Sequence, residues 1–151
     1  MNVKYYVRAL LCLYLTILLP IYIVHAQALK VGDTIPPELW SMPLQVVNHP
    51  EGKESITLSE YKDKLIILDF WATWCTPCVA MLPKMDSLQK EFAGEVQILP
   101  LTYQTHKEVS EFMEKYTRRT GRVIRLPKVV EEKGLHQAFP HIYIPHYIWI
   151  T

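Results

Sequence analysis

Residues 65–71 read Leu-Ile-Ile-Leu-Asp-Phe-Trp, apolar throughout except for Asp69. A run with no alternation predicts a strand buried on both faces, as in a parallel sheet covered by helices. The period then changes. Between Pro77 and Phe92, the residues Val79, Leu82, Met85, Leu88 and Phe92 recur at spacings of three and four, which predicts one apolar stripe on a helix. Pro83 falls inside that helix and predicts a kink, and Ala93-Gly94 ends it. Val96 to Leu101 predicts the next strand, with Pro100, which lacks a donor, marking its end. Thr105 and Glu108 form a capping-box pattern, and the helix they open carries Val109, Phe112, Met113 and Tyr116 on one face.

The flanks are less regular. Leu39 to Val47 reads as a strand despite Pro43, His49 to Lys53 as a turn cluster, and Glu54 to Leu58 as a second short strand, together an N-terminal hairpin. Ser59 to Lys64 reads as a helical turn. Arg118 to Lys128 is a polar, basic connection with Gly121 and Pro127. Val129 to Phe139 is a weak helix interrupted by Gly134, and Ile142 to Ile150 is an apolar, aromatic strand around Pro145. Strands alternating with helices predict an α/β domain.

The first 26 residues stand apart. Lys4 and Arg8 precede an almost wholly apolar stretch, Ala9 to Val24, and Val24-His25-Ala26 offers a cleavage site. That is the order of a secretory signal peptide, 1–26, leaving a domain of 27–151. The alternative is an uncleaved membrane anchor; the run is short for a span, and Thr16 and Pro20 interrupt it. Cys12 lacks the small residue expected just before a lipid-modified cysteine.

The full chain has 151 residues and a formal net charge of +1. Removing residues 1–26 takes two bases and no acid from 16 and 15, leaving 14 and 15, a net −1. Neither balance suits a nucleic-acid-binding protein. Only Cys75 and Cys78 then remain of three cysteines, and outside the cytosol such a pair can be oxidised.

The chemistry centres on Trp74-Cys75-Thr76-Pro77-Cys78. A strand delivers Cys75 to a helix start, where unpartnered N–H groups and the positive dipole end stabilise a thiolate. Pro77 suits a first helical turn. Cys78, about one turn on, is near enough to close a disulfide and to attack a mixed disulfide on Cys75. This makes Cys75 the exposed nucleophile and Cys78 the shielded resolving thiol. A zinc site would need further ligands, but there is no second cysteine pair, and His106, His136, His141 and His146 show no close ligand spacing. A purely structural disulfide would close too short a loop to stabilise much. Copper delivery through the two thiols and a downstream histidine is a further alternative. A peroxidase would need a lone peroxidatic cysteine in its own motif.

Two other residues draw attention. Asp69 interrupts a buried run, and burial raises a carboxyl pKa. Beneath the cysteines it would take the proton of Cys78 during resolution; the alternative is a strand-end aspartate bonded to backbone or solvent. Pro145 sits in an apolar strand, where proline is disfavoured. A cis Ile144–Pro145 bond would bring this loop against Cys75, with the Ile144 backbone free to pair with a substrate strand. The residues alone leave cis and trans open. The basic stretch Arg118, Arg119, Arg122, Arg125 and Lys128 reads as a solvated loop, with a membrane surface or acidic partner as the alternative. Tyr143, Tyr147 and Trp149 read as core and loop packing rather than a ligand cage.

Asp69-Phe70-Trp71-Ala72, Trp74-Cys75, Pro77-Cys78 and Pro83 resemble the thioredoxin active-site segment. With the leader, the N-terminal hairpin and Ser59-Glu60-Tyr61-Lys62, the chain resembles the exported TlpA/ResA-like branch of that superfamily. The resemblance implies a thioredoxin-like fold and disulfide exchange through the cysteine pair. Under it Asp69 is the proton acceptor and Pro145 is cis, and Trp74, Thr76, Pro77 and Ile144 contact substrate. It implies no metal or cofactor. Implied partners are disulfide-containing proteins outside the cytosol, such as the periplasm, and a membrane-bound reductase as electron donor, with membrane contact only through an uncleaved leader. Maturation of c-type cytochromes is one role it permits. Members of this branch continue past the cis-proline strand into a further strand and helix, so the expectation is a domain lacking both, a fragment or truncated reading frame with the chemistry but compromised stability. Thr76 and Pro77 place no cation beside Cys75. On a scale of roughly −270 to −120 mV, about 7 kcal/mol, that leans toward reductant.

Overall fold

In a computed structural model, residues 28–151 are described, together with Lys4; the signal-peptide reading of 1–26 lies outside that range. No helix among the described residues is long and apolar enough to cross a membrane. A six-stranded sheet runs in the order β2-β1-β5-β4-β3-β6. Its strands are β1 (Leu44–Val47), β2 (Ser55–Ile56), β3 (Leu65–Phe70), β4 (Val96–Leu101), β5 (Lys128–Val129) and β6 (His146–Ile150). β3 and β4 pair in parallel, as do β4 and β5, while β6 runs antiparallel to β3 and β1 antiparallel to both β5 and β2. The helices are α1 (Pro37–Ser41), α2 (Thr76–Glu91), α3 (His106–Thr120) and α4 (Gly134–Ala138), with a 3-10 turn at Leu58–Tyr61.

Side-chain alternation on β3 sorts the two faces. Ile66, Leu68 and Phe70 join a core with Leu99, Leu101, Leu135 and Phe139 on the α4 side. Trp71, Cys75, Cys78 and Leu82 join Ile98, Val109 and Met113 on the side of α2 and α3. By the same alternation Asp69 points to the face that holds the cysteines.

Several sequence expectations are corrected. Residues 37–41 are helical rather than strand, because Pro37 occupies a first helical turn with Glu38 beside it. The second hairpin strand is only Ser55–Ile56. Thr57 instead caps the 3-10 turn, its N–H donating to Glu60 Oε1 at 2.7 Å. Pro100 lies inside β4, not at its end. The Leu101 carbonyl accepts from Trp71 on the β3 side, so the Pro100 nitrogen faces β5, which pairs only at Leu101, and no ladder bond is lost. Phe92 has left the apolar stripe and is 41% exposed. The strand around Pro145 begins only at His146. Tyr143 and Trp149 are exposed rather than core.

The basic connection is also not one solvated loop. Arg118 and Arg119 form the last turn of α3, where cations suit the dipole, and Arg118 pairs with Glu114 at 2.7 Å. Lys128 is fully buried, its ammonium donating to the carbonyls of Ile124 (3.2 Å) and Leu126 (2.6 Å). Burial pulls its pKa down to about 8. Likewise 129–139 is not one helix. Gly134 starts α4 instead of interrupting it, since the Glu132 carboxylate accepts from the N–H groups of Leu135 and His136.

α3 ends at Gly121 with φ +69°, and nothing lies within 4 Å of a Cβ built there. Gly121→Ala therefore meets a conformational cost without a steric one, about 1–2 kcal/mol. A thermal melt should show the midpoint falling by several degrees; an unchanged midpoint would mean the cap contributes nothing.

Candidate active site

β3 ends at Phe70, and the chain turns through Trp71-Ala72-Thr73-Trp74 into α2. Trp71 and Ala72 are buried and anchor the turn, while Trp74 stands 64% exposed. The Cys75 N–H donates to the Ala72 carbonyl at 3.0 Å. Cys75 is the N-cap of α2 and Pro77 lies in the first turn. The Cys78 N–H donates to Cys75 Sγ at 3.4 Å, so a helix-terminal donor already faces the sulfur that would carry thiolate charge. Cys75 and Cys78 form a disulfide with a Cα–Cα separation of 5.3 Å. The expected contrast in exposure is absent in this oxidised form: Cys75 is 4% and Cys78 2% exposed. Thr76 and Pro77 between them are open to solvent.

Asp69 is buried, and its Oδ1 has no hydrogen-bond partner among the described residues. Desolvation pushes its carboxyl pKa up to about 7. Across the sheet it faces Tyr147 in register, and burial, with Asp69 adding to it, raises that phenol's pKa as well. The Ile144–Pro145 bond is cis. Ile144 packs against the cores of both faces, while Pro145 is exposed.

Two features have no counterpart in the sequence reading. Buried Gln104 clamps the turn: its Oε1 accepts from the Thr73 N–H at 2.7 Å and its Nε2 donates to Thr73 Oγ1 at 2.9 Å. Next to it, the Tyr103 hydroxyl accepts from Trp74 Nε1 at 2.9 Å. A polar residue in a loop after a strand gives no sign of burial, so pattern could not have found Gln104. The second feature is that His136, His141 and His146, each five residues from the next, meet beside Phe70. The rings of His136 and His141 lie 4.5 Å apart, and those of His141 and His146 stack at 4.7 Å. His141 Nδ1 donates to the Phe139 carbonyl at 2.9 Å, and burial lowers its pKa. A cavity of about 150 Å³ opens between this group and Trp74.

Comparison with known proteins bears on the family and the fold. The AhpC/TSA family model matches residues 32–139. The chain is 30% identical over 100 residues to the thioredoxin-like protein YneN of Bacillus subtilis, covering 60% of this chain and 55% of that one. It is 32% identical over 89 residues to the thiol-disulfide oxidoreductase ResA of Oceanobacillus iheyensis, covering 58% and 44%. The chain thus spans about half the length of these curated relatives. Among solved structures, the exposed lipoprotein thioredoxin of Streptococcus pneumoniae aligns with a TM-score of 0.57 at 30% identity, covering 73% of this chain and 80% of that one. The fold is that of thioredoxin-like proteins. With its matched segment running from Gly32 to Phe139 across the cysteine pair, the chain is a member of the AhpC/TSA family.

Proposed function

We propose that the chain is a thiol–disulfide oxidoreductase acting on protein disulfides outside the cytosol, in the reducing direction. The observation that carries this is the Cys75–Cys78 disulfide at the start of α2, with a backbone donor on Cys75 Sγ. In the reduced protein the Cys75 thiolate attacks a substrate disulfide, forming a Cys75–substrate disulfide and releasing one substrate sulfur as thiolate. Asp69 takes the Cys78 proton, and the new thiolate attacks Cys75 Sγ. The Cys75–Cys78 bond forms, the second substrate sulfur leaves and takes up a proton, and the substrate is reduced as the pair is oxidised. A carboxyl with a pKa of about 7 suits a base working near neutral pH. Trp74, Thr76, Pro77 and the Ile144 backbone before cis-Pro145 form the face that meets an extended substrate. A disulfide-containing protein is the partner this face suits, with electrons returned by a membrane-bound reductase.

Export rests on the leader-like order of residues 1–26 and on the similarity to an exposed lipoprotein thioredoxin. The reducing direction rests on the absence of a cation between the cysteines. Mass-resolved thiol trapping of the full chain across glutathione and dithiothreitol buffers tests the reading. A single two-electron transition is expected, with a midpoint nearer about −270 than −120 mV. A midpoint at the oxidising end would reverse the direction, and no reversible transition would remove the activity.

A further inference from the structure

The turn that presents Cys75 is held from outside its own strand. Thr73 and Trp74 make no ladder bonds; their side chains and the Thr73 amide are tied instead to Tyr103 and Gln104, after β4. That segment is itself fixed: the Thr102 N–H donates to the Val129 carbonyl at 3.0 Å, the Glu132 N–H to the Thr102 carbonyl at 3.1 Å, and the Glu131 N–H to the Gln104 carbonyl at 2.9 Å. Gln104 also bonds through its own N–H to Thr102 Oγ1 at 3.3 Å. The residue is buried, 8% exposed, so its amide has little access to water in place of Thr73.

We propose that Gln104 is a positioning residue for disulfide exchange, holding Thr73 so that Cys75 Sγ stays aligned on the Cys78 N–H at the start of α2. A neutral amide suits this work. It supplies one acceptor and one donor to the two groups of Thr73 without placing a charge beside the thiolate. Releasing the clamp frees the backbone two residues before Cys75, the sulfur drifts from the Cys78 N–H, and the thiolate loses stabilisation. Tyr103 restrains Trp74 alongside it, at the edge of the substrate face.

The inference rests on Cys75 as the attacking thiol, and the test keeps the two apart because it needs no substrate. Ionisation of Cys75 in the reduced protein is followed by thiolate absorbance for the parent, Thr73→Val, Gln104→Leu and the double variant. Thr73→Val removes only the hydroxyl half of the clamp from a half-buried residue, so it reports even if Gln104→Leu proves unstable. The expected result is less Cys75 thiolate at neutral pH, by about threefold in Thr73→Val and about tenfold in Gln104→Leu. The double variant should fall no further than Gln104→Leu, since both act through one contact. Loss of melting temperature with unchanged ionisation would make Gln104 merely structural and overturn the proposal, as would additive effects in the double variant. A parent Cys75 that ionises like a free thiol would instead overturn the proposed function.

Discussion

Cys78→Ser is expected to trap its substrate. Incubated with an oxidised peptide, the reduced variant should carry a covalent adduct on Cys75 that persists until dithiothreitol is added. The first step needs only the Cys75 thiolate, which keeps its place at the N-cap of α2. The second needs a thiol one turn on, and serine cannot attack a disulfide at a useful rate. Cys75→Ser should form no adduct, and its turnover should fall on the order of a thousandfold or more, since no nucleophile remains in position. Because both cysteines are nearly equally buried when oxidised, exposure does not assign their roles, and the proposed assignment rests on the helix position. Intact mass and peptide mapping decide the matter. An adduct on Cys78 in the Cys75→Ser variant, with none in Cys78→Ser, would exchange the roles of the two sulfurs.

The second large effect concerns Asp69 and opposes activity to stability. Burial lifts its carboxyl from an ordinary 3.8 to about 7. Between those values the unfolded chain has lost its proton and the folded chain has kept it, so folding stability falls as pH rises through this window. The full contribution is present below about pH 4 and is gone above about pH 7, a loss of up to about 4 kcal/mol. Asp69→Asn cannot ionise. Urea unfolding of the oxidised protein should find the variant close to the parent at pH 4 and more stable by a few kcal/mol at pH 8. The same variant has no base for the Cys78 proton, so resolution of the mixed disulfide should slow by about a hundredfold. A stability gap that stays constant with pH would mean that Asp69 keeps an ordinary pKa. Unchanged resolution would leave the buried carboxyl without a catalytic role.

How far the sequence carried the fold depends on which elements are fixed locally. β3 was legible because a strand buried on both faces needs an unbroken apolar run. α3 was legible because Thr105 and Glu108 cap it reciprocally, with both bonds present. The cysteine pair was legible because its chemistry is set within a few residues of sequence: strand end, N-cap and first-turn proline. β5 was not, since two residues carry no period, and they are a strand only because β1 and β4 lie on either side. Lys128 illustrates the same limit: it reads as a surface base, yet it is buried where carbonyls of its own segment receive its ammonium. Gln104 meets Thr73, and the closely spaced histidines meet Phe70, across long stretches of chain, which local pattern does not encode.

The sheet order has a consequence for how the protein is made. β3, which leads directly to the cysteines, pairs on one side with β4, soon after it in the chain, and on the other with β6. Cys75 is synthesised 70 residues before Pro145. At about 5–20 residues per second, a ribosome spends several seconds between them. Throughout that interval the residues of β6 and the cis Ile144–Pro145 bond, one wall of the site, do not yet exist beside the cysteine pair.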